Sequence, residues 1–201
     1  MMFQKIKVKV GWFWQVIWDL FMDRYIYIKR KSLSRESCEN LINHLEKSDK
    51  GYYNERGYYG VDTCASNFSS VQVSLTEGLD EYVKKHKFLS ASHNHNPSYR
   101  WRVDSQAIIK KFLPGEYYLL GEHMENGCAP HDALRVLAWM FYLNDIKHKG
   151  GTCWPQQRFT SKPRAGDLYI WPSGWTHSHY GIPAPKENKY FISGWCSLMM
   201  V

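Results

Sequence analysis

Polar and apolar positions along the chain change their rhythm near Tyr99. Before it, YIYIKRK from Tyr25 to Lys31 alternates β-forming side chains and predicts a strand. The segment after it, SLSRESCENLINHLEKS, places Ser34 to cap a helix whose Cys38, Leu41, Ile42 and Leu45 recur at helical spacing. Gly51 to Ser70 is rich in Gly, Tyr, Asn and Ser and reads as loop, with Gly51 to Gly60 suited either to a plain surface loop or to a mobile lid. LTEGLDEYVKKHKFL, Leu75 to Leu89, predicts a second helix with Leu79, Tyr82 and Val83 on one face, and Ser90 to Ser98 reads as a polar connection.

After Tyr99 the pattern is one of short β-branched and aromatic runs: YRWRVDSQAIIKKF, EYYLLGEHME, LRVLAWMFYLND, GDLYIWP and KYFISGWCSL, punctuated by Pro, Gly, Asn and Asp. Helices followed by several short strands predict an α+β chain, with a closed or double-sheet β core and the helices packed on one side.

Composition narrows the function classes. With 201 residues, 44% apolar and 16% aromatic, the chain is long enough for one core and too rich in core-forming side chains to be disordered. A formal charge of +7 permits a polyanionic partner such as nucleic acid, but the basic residues are spread along the chain, so the inference is weak. Cys38, Cys64, Cys128, Cys153 and Cys196 include no CxxC pair and suggest neither a disulfide framework nor a zinc finger, which fits a reducing, cytoplasmic setting. VGWFWQVIWDLFM, Val10 to Met22, is interrupted by Gln15 and Asp19 and is shorter than the ~20 residues a spanning helix needs. Residues 1–24 therefore read as a docking segment, with attachment to a membrane surface as the less favoured alternative.

GEHMENG supplies His123 and Glu125, two apart on a predicted strand and hence on one face. One histidine from HSHYG would complete two imidazoles and a carboxylate, the facial set that leaves coordination positions of a ferrous ion open. His-x-Glu alone is too common to carry that assignment, and His177 and His179 both compete for the third place. PHDAL is a poor alternative metal arm, because adjacent strand residues face opposite sides; it reads as a loop near the opening of the site.

Further motifs follow: Tyr142, Leu143 and Asn144; Gly150 and Gly151; Pro163 and Gly166; then His179, Gly181 and Pro183, with Lys189 ten residues after His179. Their spacing, from about Gln106 to Trp195, closely resembles the prolyl 4-hydroxylase-like branch of the Fe(II) and 2-oxoglutarate-dependent oxygenases. The resemblance implies a double-stranded β-helix (jelly-roll) core over about 99–201, helical support over about 34–89, and one oxygenase domain over 25–201. It implies His123, Glu125 and His179 as metal ligands, since Gly181 and Pro183 keep the family spacing from His179 and not from His177. Lys189 is implied as the cation for the distal carboxylate of 2-oxoglutarate, with Tyr118 and Trp195 as further cofactor-binding candidates. Two departures stand out. Glu125 replaces the Asp of most members, and Phe112 and Leu113 occupy the neighbourhood of a tyrosine that often helps hold the distal carboxylate, leaving Tyr118 or Tyr142 to substitute.

The function implied is hydroxylation of an unactivated C–H bond with Fe(II), 2-oxoglutarate and O2, with a prolyl residue in a protein or peptide as the first candidate substrate and a small molecule as the second. Two readings of other classes stand beside it: a protein that binds or modifies nucleic acid, motivated by charge and aromatic content, and a degenerate metal-binding jelly roll without oxygenase activity. The compact form also resembles phage-borne versions, which would place the protein in a host cytoplasm.

Overall fold

A computed structural model of the chain describes residues 25–86 and 100–199; the expected docking segment 1–24 and the connection Ser90 to Ser98 lie outside them. Strand β1 (Tyr27–Lys29) leads into helix α1 (Arg35–Lys47), whose first turn is closed by the Ser34 hydroxyl accepting from the Ser37 amide at 3.0 Å. Helix α2 (Ser69–His86) starts six residues before the expected Leu75, because Val71 extends its apolar face. No helix among the described residues is long and apolar enough to cross a membrane.

Between the helices the expected loop is largely ordered as β structure. Strands β2 (Tyr52–Asn54) and β3 (Tyr58–Thr63) form a hairpin that turns at Gly57, where φ is +85°, and β3 then pairs with the long strand β4 (Arg100–Phe112). GYYNERGYYG is therefore the edge of a sheet. Alternate side chains decide this: Tyr58 is buried in the core while Tyr53 stays exposed, a half-buried pattern that strand geometry satisfies.

The later strands are β5 (Arg135–Tyr142), β6 (Thr152–Trp154), β7 (Phe159–Thr160), β8 (Leu168–Pro172), β9 (Tyr180–Gly181) and β10 (Lys189–Met199), with a short helix α3 (Pro130–Ala133) just before β5. One sheet has seven strands in the order β1-β8-β5-β10-β4-β3-β2, and the other has β7-β6-β9; every pairing in them is antiparallel. This is the jelly-roll arrangement, with the large sheet sandwiched between the helices and the small sheet.

The large sheet is buried on both faces, which explains why β5 reads as an unbroken apolar run. Leu137, Trp139 and Phe141 point to the helix side, where they meet Leu41, Leu45, Leu75 and Leu79. Ala138, Met140 and Tyr142 point to the interior of the roll, with Trp154, Tyr169 and Trp171. The large sheet thus carries a purely structural layer on one side and the wall of the site on the other.

Corners of the roll depend on backbone that only glycine enters easily. Gly166, the last residue of the Pro-x-x-Gly turn, has φ +84°, donates to the Tyr142 carbonyl at 2.8 Å and accepts from the Leu33 amide at 3.1 Å. A Cβ there would lie 2.2 Å from the Leu33 carbonyl oxygen. Gly166→Ala is expected to lower stability by about 2–4 kcal/mol through left-handed strain plus this clash, read as a shift of the urea midpoint at unchanged m-value.

Candidate metal centre

Two segments distant in sequence are joined by one pair of backbone hydrogen bonds. The His123 amide donates to the His179 carbonyl at 3.0 Å and the His179 amide donates to the His123 carbonyl at 2.8 Å. The strand expected through GEHMENG reduces to this isolated bridge, because the Glu125 amide turns away to the Ser173 carbonyl at 3.0 Å, just past the end of β8. His123 and Glu125 still reach the same point, held by two different neighbours instead of one ladder.

His123, Glu125 and His179 each offer one ligand atom, all within 4.8 Å of one another. The Nδ1 of His123 lies 2.9 Å from the Gly121 carbonyl and the Nδ1 of His179 lies 3.0 Å from the His177 carbonyl. A carbonyl oxygen only accepts, so both Nδ1 atoms are the protonated donors and both Nε2 atoms of the neutral rings carry lone pairs. Those Nε2 atoms stand 3.9 Å and 3.3 Å from Glu125 Oε1. Two lone pairs aimed at a carboxylate repel it unless a cation sits between them, and a divalent metal with two imidazoles and one carboxylate fits that requirement.

Burial opposes ionisation of Glu125, but positive charge at the centre, from the His179 and His123 imidazoles when a proton takes the place of the metal and from Lys110, more than offsets it and holds the carboxyl well below the usual range. Burial, assisted by His179, lowers the pKa of His123 and favours its neutral, metal-binding form. The other carboxylate oxygen, Oε2, accepts from the Trp195 indole N–H at 2.7 Å. Trp195 in turn carries the Arg135 guanidinium 3.8 Å from its ring centroid, and Arg135 pairs with Asp132 at 2.8 Å while donating to the Glu125 carbonyl at 3.1 Å. Asp132 of PHDAL thus acts through Arg135 at the mouth of the site, on helix α3 and not on a loop.

His177 does not belong to the cluster of ligand atoms. It ends a tight 3₁₀ turn, Trp175–His177, and does not line the cavity beside them. It is buried, with Nδ1 3.0 Å from the Thr176 hydroxyl, and its backbone carbonyl fixes the tautomer of His179.

A cavity opens from the three ligand atoms into the roll and reaches Lys189. Lys189 is only 5% exposed; its Nζ donates to the Gly151 carbonyl at 3.4 Å and lies 5.4 Å from the centroid of Phe191. No carboxylate among the described residues pairs with it, and burial, assisted by the field of Lys110, pulls its pKa down to about 7. Lys186, three residues earlier, is exposed. Two more buried polar atoms on this cavity wall, Trp171 Nε1 and Ser193 Oγ, have no hydrogen-bond partner among the described residues. A cation and unmatched polar groups facing an otherwise aromatic space suit a small anionic ligand.

The tyrosines divide. Tyr142 lines no part of this cavity, and its hydroxyl is committed to Thr152 at 3.0 Å and Ser161 at 2.7 Å. Tyr118 lines the cavity, packs its ring 4.8 Å from that of His123, and accepts from Arg56 of the β2–β3 hairpin at 3.1 Å. Trp195 lies outside this cavity and lines an adjoining polar cleft that His123, Glu125 and Tyr118 share. Sequence reasoning missed Lys110, Trp171, Ser193 and Arg135. Period-two alternation along β4 and β10 would have found two of them, since Lys110 follows Ile108 inward and Ser193 follows Lys189 and Phe191 inward.

Residues 108–197 match the sequence profile of the 2OG-Fe(II) oxygenase superfamily. No curated protein matches the chain by sequence. Among solved structures, a viral collagen prolyl hydroxylase from Paramecium bursaria Chlorella virus-1, in its 2-oxoglutarate complex, superposes with a TM-score of 0.67 at 18% identity, covering 88% of this chain and 97% of that one. A Pseudomonas putida prolyl-4-hydroxylase gives 0.62 at 15% identity, with 86% and 92% covered. A Trichoplax adhaerens prolyl hydroxylase, in complex with a hypoxia inducible factor peptide fragment, gives 0.62 at 16% identity, with 98% and 93% covered. The fold is thus that of the prolyl hydroxylases. Together with the profile match over 108–197 and the two-histidine, one-carboxylate cluster, it makes this chain similar to the prolyl 4-hydroxylase-like 2OG-Fe(II) oxygenases, a family that uses Fe(II), 2-oxoglutarate and O2.

Proposed function

We propose that residues 25–201 act as a single oxygenase domain that hydroxylates a prolyl residue in a protein or peptide, with His123, Glu125 and His179 holding Fe(II) and Lys189 receiving the distal carboxylate of 2-oxoglutarate. The observation that carries this reading is the pair of Nε2 lone pairs converging on Glu125 at one end of a cavity whose other end is a buried, carboxylate-free lysine. The prolyl assignment draws support from the prolyl hydroxylases that share the fold, one of them in complex with a peptide.

The bound iron and 2-oxoglutarate would supply the oxidising chemistry, oxidative decarboxylation to succinate and CO2 coupled to insertion of oxygen into a C–H bond. The chain's own residues set the geometry. Carbonyls of Gly121 and His177 orient the two imidazoles, and Trp195 holds one oxygen of Glu125 so that the other faces the ligand atoms. The longer glutamate is accommodated because its backbone is tied to the end of β8 instead of to the small sheet. Trp154 and Trp171, with rings 5.8 Å and 5.1 Å from that of His179, exclude water from the metal-facing wall.

In the absence of oxygen, Fe(II) plus 2-oxoglutarate is expected to give a visible charge-transfer band in the parent protein and in His177→Gln, and none in His179→Ala. Admission of O2 should then yield succinate from the parent. A band that survives in His179→Ala would overturn the ligand assignment.

Lys189 adds a pH dependence of defined sign. Without ligand it loses its proton near pH 7, whereas binding a carboxylate requires the ammonium form, so 2-oxoglutarate binding takes up a proton and weakens as pH rises from 7 to 9. Calorimetry in buffers of different ionisation enthalpy measures the uptake directly. Lys189→Met should weaken binding by about tenfold or more and flatten the pH slope, since loss of a buried charge-assisted hydrogen bond costs about 1.5–3 kcal/mol.

A further inference from the structure

Lys110 is a second inward-facing lysine on the same sheet, and its surroundings differ from those of Lys189. On the antiparallel pair β4–β10, Lys110 stands opposite Phe191 and Phe112 stands opposite Lys189. The four residues form a square on one face of the sheet, with lysines on one diagonal and phenylalanines on the other. The two phenylalanine rings stack across their diagonal, 5.9 Å apart and 11° from parallel. The two lysine positions thus fall on opposite sides of an aromatic partition, and one carboxylate does not explain both.

On its own side, the Lys110 Nζ lies among the rings of Tyr58, Phe191 and Tyr118, at 5.1, 5.5 and 5.8 Å from their centroids. Among the described residues no carboxylate forms an ion pair with it and no acceptor takes a hydrogen bond from it, although it lines both the inner cavity and the adjoining polar cleft. The other cations of that cleft are occupied: Arg135 by Asp132, and Arg56 by the Tyr118 hydroxyl. Charge balance points the same way. With the cofactors in place, Glu125 and the chelating carboxylate match the two charges of Fe(II), and Lys189 matches the distal carboxylate. Lys110 then has no carboxylate of the described residues at contact distance, in a partly buried aromatic niche where an ammonium favours an anion over a neutral carbonyl.

We propose that Lys110 is a specificity residue that binds the α-carboxylate of the prolyl substrate, either the free imino acid or a prolyl residue ending a peptide. The cleft then admits a substrate whose carboxylate lies close to the reacting ring, and an internal prolyl residue, which has an amide there, is disfavoured. This rests on the prolyl reading above. It makes a prediction about the substrate's charge that the prolyl reading alone does not make.

The test is calorimetric binding to full-length protein loaded with Mn(II) and 2-oxoglutarate, paired with succinate formation by the Fe(II) form. The probes are L-proline, N-acetylglycyl-L-proline and N-acetylglycyl-L-prolinamide. At least one carboxylate is expected to bind about tenfold or more tightly than the amide, and which of the two does so identifies the source. Lys110→Met should abolish that preference while 2-oxoglutarate affinity stays within about threefold, and Lys110→Arg should restore part of it. A merely structural role would move both affinities together. An amide that binds as well as the acids, or a preference retained in Lys110→Met, overturns the carboxylate site and leaves the prolyl reading intact. If none of the three probes binds, the prolyl reading fails, and acetate titrated into the same loaded protein decides the rest. Saturable acetate binding that is lost in Lys110→Met keeps Lys110 as a carboxylate site, and its absence removes it.

Discussion

The reciprocal hydrogen bonds between His123 and His179 are the constraint on which the centre depends. They fix two imidazoles side by side, with ring centroids 4.6 Å apart, at an isolated bridge between the Gly121–Asn126 segment and the residue that precedes β9. Each ring is then turned by a carbonyl from its own neighbourhood, so the donor set is prepared before any ion arrives. Glu125 joins them from a different anchor, the carbonyl of Ser173. The carboxylate is thereby tied to the large sheet and the imidazoles to the small one, and the centre spans the opening of the roll.

That arrangement requires a rigid support, which the two-sided burial of the large sheet provides. The helix-facing row of β5, with Trp139 and Phe141 fully buried, holds the strand in place, while the opposite row, Met140 among it, faces the cavity. Strand alternation separates the two tasks at every step, so packing on the helix side does not compete with ligand binding on the other. The glycine corners, Gly166 above all, allow the chain to pass from β7 into β8 without filling the space that the Leu33 backbone occupies.

Electrostatics inside the roll are asymmetric. Glu125 is the acidic member of the centre, and two lysines on a diagonal of the β4–β10 pair face inward without carboxylate partners among the described residues. Burial lowers the pKa of Lys110 to about 8 and that of Lys189 to about 7, the latter with help from the field of the former. Two such groups in an aromatic enclosure are costly in the ligand-free protein, and anions relieve that cost. The same feature connects the sheet register to the chemistry of what the site accepts.

The sequence alone carried the elements whose signal is local. Ser34 and the Cys38, Leu41, Leu45 spacing define α1, and the β-rich runs define β4, β5, β8 and β10, because propensity and periodicity act over a few neighbouring residues. The family resemblance named His123, Glu125, His179 and Lys189, which the fold brings around one cavity. Tertiary structure decided what depends on partners far along the chain: the hairpin in the expected loop, the reduction of GEHMENG to one bridge, and the convergence of His179, not His177, on His123 and Glu125. It also decided the fate of Trp195 and Lys110. A tryptophan becomes the clamp on Glu125 and a lysine becomes an inward cation only when β10 is laid against β4 and β5 in this register, and register is a property of the assembled sheet, set by burial on both of its faces.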